Sequence, residues 1–170
     1  MGREMKNRKS NRWRGYDYST PGLYFVTICT KNRQPWFGEI RNGVMGLNTC
    51  GIVAHEALGN SKNYYDNVDV DCFVVMPDHV HAIICMRVHW VGAEQCSAPT
   101  GNAYGQLSKI VKSYKEFVTK CMRNDFGHHG FAWQRSFHDR VIRSERELWN
   151  IRAYIKNNPI MWGIDELRHA

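Results

Sequence analysis

The amino-acid sequence predicts an α+β domain, an antiparallel sheet with helices packed on it. Short runs rich in β-branched and aromatic residues alternate with longer segments of helical periodicity. Two of the short runs follow one another across a turn at Pro77–Asp78, which predicts a pair of antiparallel strands. The length of 170 residues suits one domain with a single core.

The first half of the chain is predicted to contain a strand, a loop and a helix. The run LYFVTICT at 23–30 is typical of a strand, and NRQPWFGEIRNG at 32–43 of a loop that has room for a short hairpin. The segment 47–65 has a helical pattern, with Asn48 as its expected N-cap.

In the middle of the chain, the runs 68–76 and 79–86 are the two predicted antiparallel strands. Residues 87–105 mix Gly, Ala, Ser and Pro, as surface loops do. Apolar residues then recur at helical spacing over 106–123, which predicts an amphipathic helix with its lysines on the polar side.

A short strand, RVIR at 140–143, and a last helix complete the predicted fold. Ser144 and Glu147 have the spacing of a capping box at the start of that helix. We expect the helix to end at Asn158, because Pro159 cannot continue its hydrogen-bond ladder without loss.

Composition indicates a globular, cytoplasmic protein. Hydrophobic residues make up 43% and charged residues 23%, and mean hydropathy is -0.52. No apolar run approaches the roughly 18 residues of a membrane span, and the amino terminus lacks the apolar centre of a signal peptide. Six cysteines without a C-x-x-C pair argue against a zinc ribbon and for a reducing compartment.

Part of the net charge of +7 is local. Residues 1–14 hold six Lys and Arg against one acid, and a second basic set lies at 109–123. We therefore divide the chain into a basic, weakly ordered arm at 1–19 and one domain at 20–170. A solvated basic surface accounts for this charge, and so does a polyanionic partner, with phosphates foremost.

Two histidines stand one residue apart in the apolar stretch VVMPDHVHAII at 74–84. On a strand, His79 and His81 share one face, about 6.8 Å apart. Two imidazoles at that distance can bind one divalent cation. Two core histidines satisfied by hydrogen bonds explain the same pattern.

A phenol and an amide lie four residues apart in IRAYIKNNP at 151–159. Tyr154 and Asn158 therefore share one helix face, and together they supply a nucleophile and an oxygen ligand. The alternatives are a core tyrosine beside Ile151 and Ile155 and an amide that only ends the helix. Tyr114 is the rival nucleophile, although it lies in an apolar helical stripe.

Three separated stretches, YDYSTPGLYFVTICTKNR, MPDHVHAII and WQRSFHDRVIRSERELWNIRAYIKNNP, resemble the REP-associated tyrosine transposases over roughly residues 16–164. These are relatives of the bacterial insertion-sequence single-strand transposases in the HUH class, named for two histidines around a hydrophobic residue. The resemblance implies a ferredoxin-like or RRM-like antiparallel sheet. It also implies that His79, His81 and Asn158 bind Mg²⁺ or Mn²⁺ and that Tyr154 is the nucleophile.

The resemblance further implies what the enzyme does. Tyr154 would attack a phosphodiester of single-stranded DNA beside a palindromic hairpin, form a 5′-phosphotyrosine and later rejoin strands, as in DNA transposition. Insertion-sequence relatives carry Gln where Asn158 stands, and FHDR at 137–140 departs from the Tyr and His that relatives often carry. The protein would be nucleoid-associated and a monomer or homodimer. The expected DNA contacts are Arg12, Arg14, Lys112, Lys115, Arg135, Arg143 and Lys156.

Two other functions compete with this one. A DNA-hairpin-binding protein without catalysis would keep the basic surface, and a zinc-dependent hydrolase could use the H-x-H pair but lacks a clear third ligand. Among the remaining candidates, His128, His129 and His138 are expected in loops. We expect Trp133, Trp149 and Trp162 in the core rather than as base-stacking platforms.

Overall fold

A computed structural model of the chain describes residues 20–60, 65–87 and 105–169, with side chains as far as Trp162. The predicted basic arm, with Arg12 and Arg14, lies outside the described residues, as does most of the predicted loop at 87–105. The described residues form an α+β fold, which confirms the predicted class.

The elements follow the predicted order, with an added hairpin in the first loop. The strands are β1 (Gly22–Cys29), β2 (Gly38–Arg41), β3 (Val44–Leu47), β4 (Val68–Val75), β5 (His79–Met86) and β6 (His138–Ile142). The helices are α1 (Thr49–Gly59), α2 (Gln106–Asn124) and α3 (Glu145–His169), and a 3₁₀ turn spans Lys31–Arg33. No helix in the described part of the chain is long and apolar enough to span a membrane.

Four strands form the main sheet in the order β4–β5–β1–β6, with every neighbouring pair antiparallel. Without the small β2–β3 hairpin, the chain order is strand, helix, strand, strand, helix, strand, which is the ferredoxin-like arrangement. In this register Thr27 of β1 pairs with His81 of β5 on one side and with His138 of β6 on the other.

The two faces of the sheet are covered by different helices. Tyr24, Val26 and Ile28 of β1 point into the main core, which also takes in side chains of α1 and α2. The opposite face carries Ile83, which packs against Ile151 and Ile155 of α3. Since side chains alternate along a strand, the histidines two and four residues before Ile83 also face α3.

Two of the predicted helix starts are confirmed by their caps. The side-chain oxygen of Asn48 accepts a hydrogen bond of 2.9 Å from the backbone N–H of Gly51. The hydroxyl of Ser144 accepts one of 3.2 Å from the backbone N–H of Glu147, so these orphan donors are satisfied.

Three predicted boundaries are wrong. Helix α3 does not end at Asn158 but continues through Pro159 to His169, with side chains beyond the proline packed on neighbouring elements. An interior proline costs a helix roughly 3 kcal/mol, which such tertiary contacts can offset. Helix α1 ends at Gly59, well short of residue 65. The sequence predicts His138 in a loop. Strand β6 nevertheless begins at this residue, because pairing with β1 extends that far.

The start of α1 is pressed against the chain before the hairpin. A methyl group on Gly51 would lie 2.1 Å from the carbonyl oxygen of Phe37 and 2.9 Å from a methyl of Leu47, whereas one on Gly59 would meet nothing within 4 Å. We expect Gly51→Ala to lower the free energy of unfolding by about 2–3 kcal/mol through overpacking. Gly59→Ala, the matched control, should be neutral or raise it by up to about 1 kcal/mol. Urea unfolding of both variants tests this prediction. Equal stabilities would contradict the close packing of Gly51 against the Phe37 carbonyl.

Candidate active site

The two histidines of the H-x-H motif converge at their outer nitrogens. His79 and His81 are buried, with 4% and 5% of their surfaces exposed, and their Nε2 atoms are 3.0 Å apart. Both side chains lie on the sheet face that carries α3. The motif therefore forms one polar cluster between the sheet and the last helix.

The inner nitrogen of each ring has its own partner. His79 Nδ1 lies 2.6 Å from a carboxylate oxygen of Asp78, and His81 Nδ1 lies 2.8 Å from the hydroxyl of Thr27. The other oxygen of Asp78 is 2.7 Å from Nε of Arg33. In the neutral tautomer whose Nδ1–H donates to this carboxylate, the Nε2 of His79 carries a lone pair.

Electrostatics keep His81 uncharged. Burial, and then the nearby His79 and Arg33, lower the pKa of His81 to about 3, so this ring is neutral at pH 7. Two nitrogen atoms only 3.0 Å apart repel each other unless a proton or a cation lies between them. When Thr27 accepts the Nδ1–H of His81, both Nε2 atoms present lone pairs, the form in which imidazole binds metals.

Helix α3 adds three side chains at successive turns of one face. The Tyr154 hydroxyl oxygen is 3.2 Å from Nε2 of His81, and its ring meets Phe25 edge-on. Eight residues later, the Trp162 ring stacks on His79 at 5.7 Å between centroids. Asn158, midway between these two contacts, is buried with 8% of its surface exposed. The helix thus places a phenol against His81 and an indole against His79, with the amide of Asn158 one helical turn from each.

The chemistry of these donors fits a divalent cation. Two nitrogens 3.0 Å apart can both lie about 2.1 Å from one ion, a usual metal–imidazole distance. Within the described ranges, no three side chains of His, Cys, Asp or Glu are grouped to hold a metal. The third ligand that the resemblance implies is Asn158, whose buried amide lies on α3 one turn from each of the two histidine contacts. A hydrolytic zinc site with a third His or an acid finds no support among these residues.

The rival tyrosine lies elsewhere. Tyr114 is buried in the main core, and its hydroxyl donates a hydrogen bond of 3.2 Å to the carbonyl oxygen of Ala54. Burial raises the pKa of this phenol, which makes it harder to ionise. By contrast, 49% of the Tyr154 surface is exposed. The core position considered for Tyr154 is therefore wrong, and the one for Tyr114 is correct.

The predicted DNA contacts are dispersed. Lys115 donates a hydrogen bond of 2.6 Å to the carbonyl oxygen of Gln134, and burial lowers the pKa of its ammonium group. Lys112 forms an exposed ion pair of 3.6 Å with Glu116. The side chains of Arg135, Arg143 and Lys156 are exposed.

Among the tryptophans predicted in the core and the histidines predicted in loops, some predictions are confirmed and others are wrong. Trp133 packs against the main core, as predicted. The prediction is wrong for Trp149, which is 67% exposed with the Arg152 guanidinium 5.5 Å from its ring. Trp162 is half-buried against His79 rather than in either core. The loop prediction holds for His128 and His129.

Three residues of the site are missing from the sequence prediction. Thr27 and Phe25 are brought to His81 by the pairing of β1 with β5, which no local pattern reveals. The sequence pattern predicts Asp78 only as a turn residue. A carboxylate directly before a candidate ligand histidine is the signal that could have identified it.

The chain is similar in sequence to one bacterial protein and in fold to two solved structures. It is 35% identical to an uncharacterised protein of Haemophilus influenzae over 170 residues, 95% of this chain and 93% of that protein. A solved REP-associated tyrosine transposase bound to a REP hairpin superposes with a TM-score of 0.61 at 20% identity, over 89% of this chain and 74% of that one. A Deinococcus radiodurans structure described as a transposase gives 0.49 at 20% identity, over 86% and 95%. No protein-family model matches the chain.

The two tyrosines should respond differently to removal of their hydroxyl groups. Tyr114→Phe leaves a buried carbonyl without this donor and should lower the free energy of unfolding by about 1 kcal/mol. Tyr154→Phe, at a half-exposed ring, should change it by less than about 0.5 kcal/mol. Chemical denaturation of both variants beside the wild type checks this. A larger loss for Tyr154→Phe would mean that its phenol stabilises the fold.

Proposed function

We infer that this chain, which belongs to the same family as the Haemophilus influenzae protein and has the fold of a REP-associated tyrosine transposase, is a transposase. In this proposal it cuts and rejoins single-stranded DNA with Tyr154 as its nucleophile. One observation carries the proposal: the Tyr154 hydroxyl lies 3.2 Å from a nitrogen of the same histidine pair whose Nε2 atoms converge at 3.0 Å. Nucleophile and candidate metal ligands thus form one cluster.

Three residues of the cluster would hold the ion. His79 and His81 offer Nε2 lone pairs and Asn158 an amide oxygen, a mixed set that suits Mg²⁺ or Mn²⁺, with Mn²⁺ accepting imidazole more readily. When bound, the ion supplies positive charge that polarises the scissile phosphate and offsets the charge developing on its oxygens.

The Tyr154 hydroxyl has two arrangements in this scheme. In the present geometry the hydroxyl oxygen is 3.2 Å from the Nε2 of His81, so the O–H can donate to the single lone pair of that nitrogen. When His81 uses that lone pair as a ligand, the hydroxyl gives up the hydrogen bond. The phenol oxygen is then free to face a phosphate held at the same place.

The reaction that follows is a transesterification. The Tyr154 oxygen loses its proton and forms a bond to phosphorus, while the bond from phosphorus to the 3′-oxygen breaks and that oxygen takes up a proton. A 5′-phosphotyrosine remains on the protein. Because the phosphodiester energy is kept in this link, a second 3′-OH can reverse the step without ATP.

The substrate proposed is a DNA hairpin with a single-stranded flank. The net charge of +7 and the exposed Arg135, Arg143 and Lys156 favour a phosphate backbone as partner. The superposed transposase was solved with a REP hairpin, which supports the same class of substrate. Since Tyr154 contacts His81 of its own chain, a monomer could act alone, and a homodimer that exchanges helices is the alternative.

A hairpin-binding protein without catalysis is the competing function. It would have no need of a half-exposed phenol next to two converging imidazoles. The complete cluster therefore favours the enzyme.

Replacing Tyr154 by Phe should separate binding from chemistry. Tyr154→Phe should form no covalent adduct with single-stranded hairpin DNA in Mn²⁺, because Phe has no atom that attacks phosphorus. Binding of the same DNA should stay within about twofold of wild type, since exposed positive charge is unchanged. Adducts are scored on a denaturing gel and binding by fluorescence anisotropy, with Tyr114→Phe as the active control. An adduct formed by Tyr154→Phe would refute the assignment.

Removing one imidazole should weaken ion binding and abolish cleavage. His81→Ala deletes a ligand, so Mn²⁺ affinity measured by calorimetry should fall at least about tenfold, and cleavage should be lost. His129→Ala is the matched control. It changes an exposed histidine that is not one of the proposed ligands, and it should behave as wild type. Normal cleavage by His81→Ala would exclude the proposed metal site.

A further inference from the structure

One aromatic contact of the site has no role in the chemistry above. Trp162 lies one turn beyond Asn158 on α3, and its ring stacks on His79 with centroids 5.7 Å apart and planes 27° from parallel. The tryptophan is half-buried. It reaches this position because α3 continues through Pro159.

We propose that Trp162 is a positioning residue that fixes the ring plane of His79 and thereby strengthens divalent-cation binding at the histidine pair. The inference deepens the proposed function and rests on its metal site.

The first argument is geometric. A histidine side chain has two rotatable bonds, and the hydrogen bond of His79 to Asp78 fixes the direction of Nδ1 but does not by itself set the tilt of the ring plane. A stacked indole restricts this tilt and keeps Nε2 directed at the partner ring. Preorganising a ligand in this way improves ion affinity without any new bond to the ion.

The ring of His81 is held by the same two kinds of contact as the ring of His79. That ring has a hydrogen-bond partner in Thr27 and a stacked partner in Phe25, with centroids 5.3 Å apart and planes at 26°. His79 has Asp78 and Trp162 in the same two roles. Each imidazole is thus held by one polar contact at Nδ1 and one aromatic face.

The third argument is electrostatic. An imidazole that binds a divalent cation loses electron density and becomes partly positive. The face of an indole is electron-rich and attracts such a group more strongly than it attracts a neutral ring. The stack should therefore favour the metal-bound form of His79 over the free form.

Three variants test the role of the indole. Trp162→Leu keeps an apolar side chain but removes the aromatic face, and Mn²⁺ affinity should fall about tenfold. Trp162→Phe restores a ring and should stay within about threefold of wild type. Trp149→Leu, which removes an exposed tryptophan from the same helix, should leave the affinity unchanged. All four affinities are measured by calorimetry after thermal unfolding has established that each protein is folded.

A second readout needs no metal. In metal-free protein the indole ring current should shift the ring-proton NMR signals of His79 upfield, and Trp162→Leu should move them back while the His81 signals stay in place. Unshifted His79 signals in the wild type, or Mn²⁺ affinity in Trp162→Leu equal to wild type, would overturn the role of Trp162. If the wild type binds Mn²⁺ and Trp162→Leu binds it equally well, only the role of Trp162 fails. If the wild type itself binds no Mn²⁺, the proposed metal site fails and this inference fails with it.

Discussion

The site depends on the register between β1 and β5. Thr27 pairs with His81 and Cys29 with His79, so the H-x-H motif lies on the face that α3 covers, with the Thr27 hydroxyl beside one ring. A slip of one residue would turn both histidines into the main core and Val80 toward the helix. The buried side chains of β1, Tyr24, Val26 and Ile28, oppose such a slip because they would leave the core in exchange.

The second constraint is the packing of α3 on the sheet. Ile151 and Ile155 are buried against the face that carries Ile83, which sets the rotation of the helix about its axis. Arg152 also makes a two-pronged ion pair with Asp71, with N–O distances of 2.8 and 2.5 Å. Once the rotation is set, Tyr154 and the residues one and two turns later must lie over the histidine pair.

Local patterns predicted much of this architecture. Strand β5 has the predicted bounds, and both caps at Asn48 and Ser144 act as expected, because each depends on residues only a few positions apart. The convergence of His79 with His81 and the shared face of Tyr154 and Asn158 likewise follow from the periods of strand and helix.

Features set by distant parts of the chain were not predictable. The partners Thr27 and Phe25 come from strand pairing, and continuation of α3 past Pro159 depends on contacts such as that of Trp162 with His79. The exposure of Trp149 reflects which face of α3 the sheet covers. Composition and spacing contain none of this information, since it arises only when the elements pack together.

The central proposal is that the phenol oxygen of Tyr154 is the atom that becomes covalently attached to DNA. The most direct test is to trap the wild-type protein on single-stranded hairpin DNA with Mn²⁺, digest the complex with nuclease and trypsin, and locate the nucleotide by mass spectrometry. The account predicts a nucleotide mass on the peptide 153–156, which contains Tyr154 as its sole tyrosine. A nucleotide on any other peptide, or none on any peptide, would contradict it.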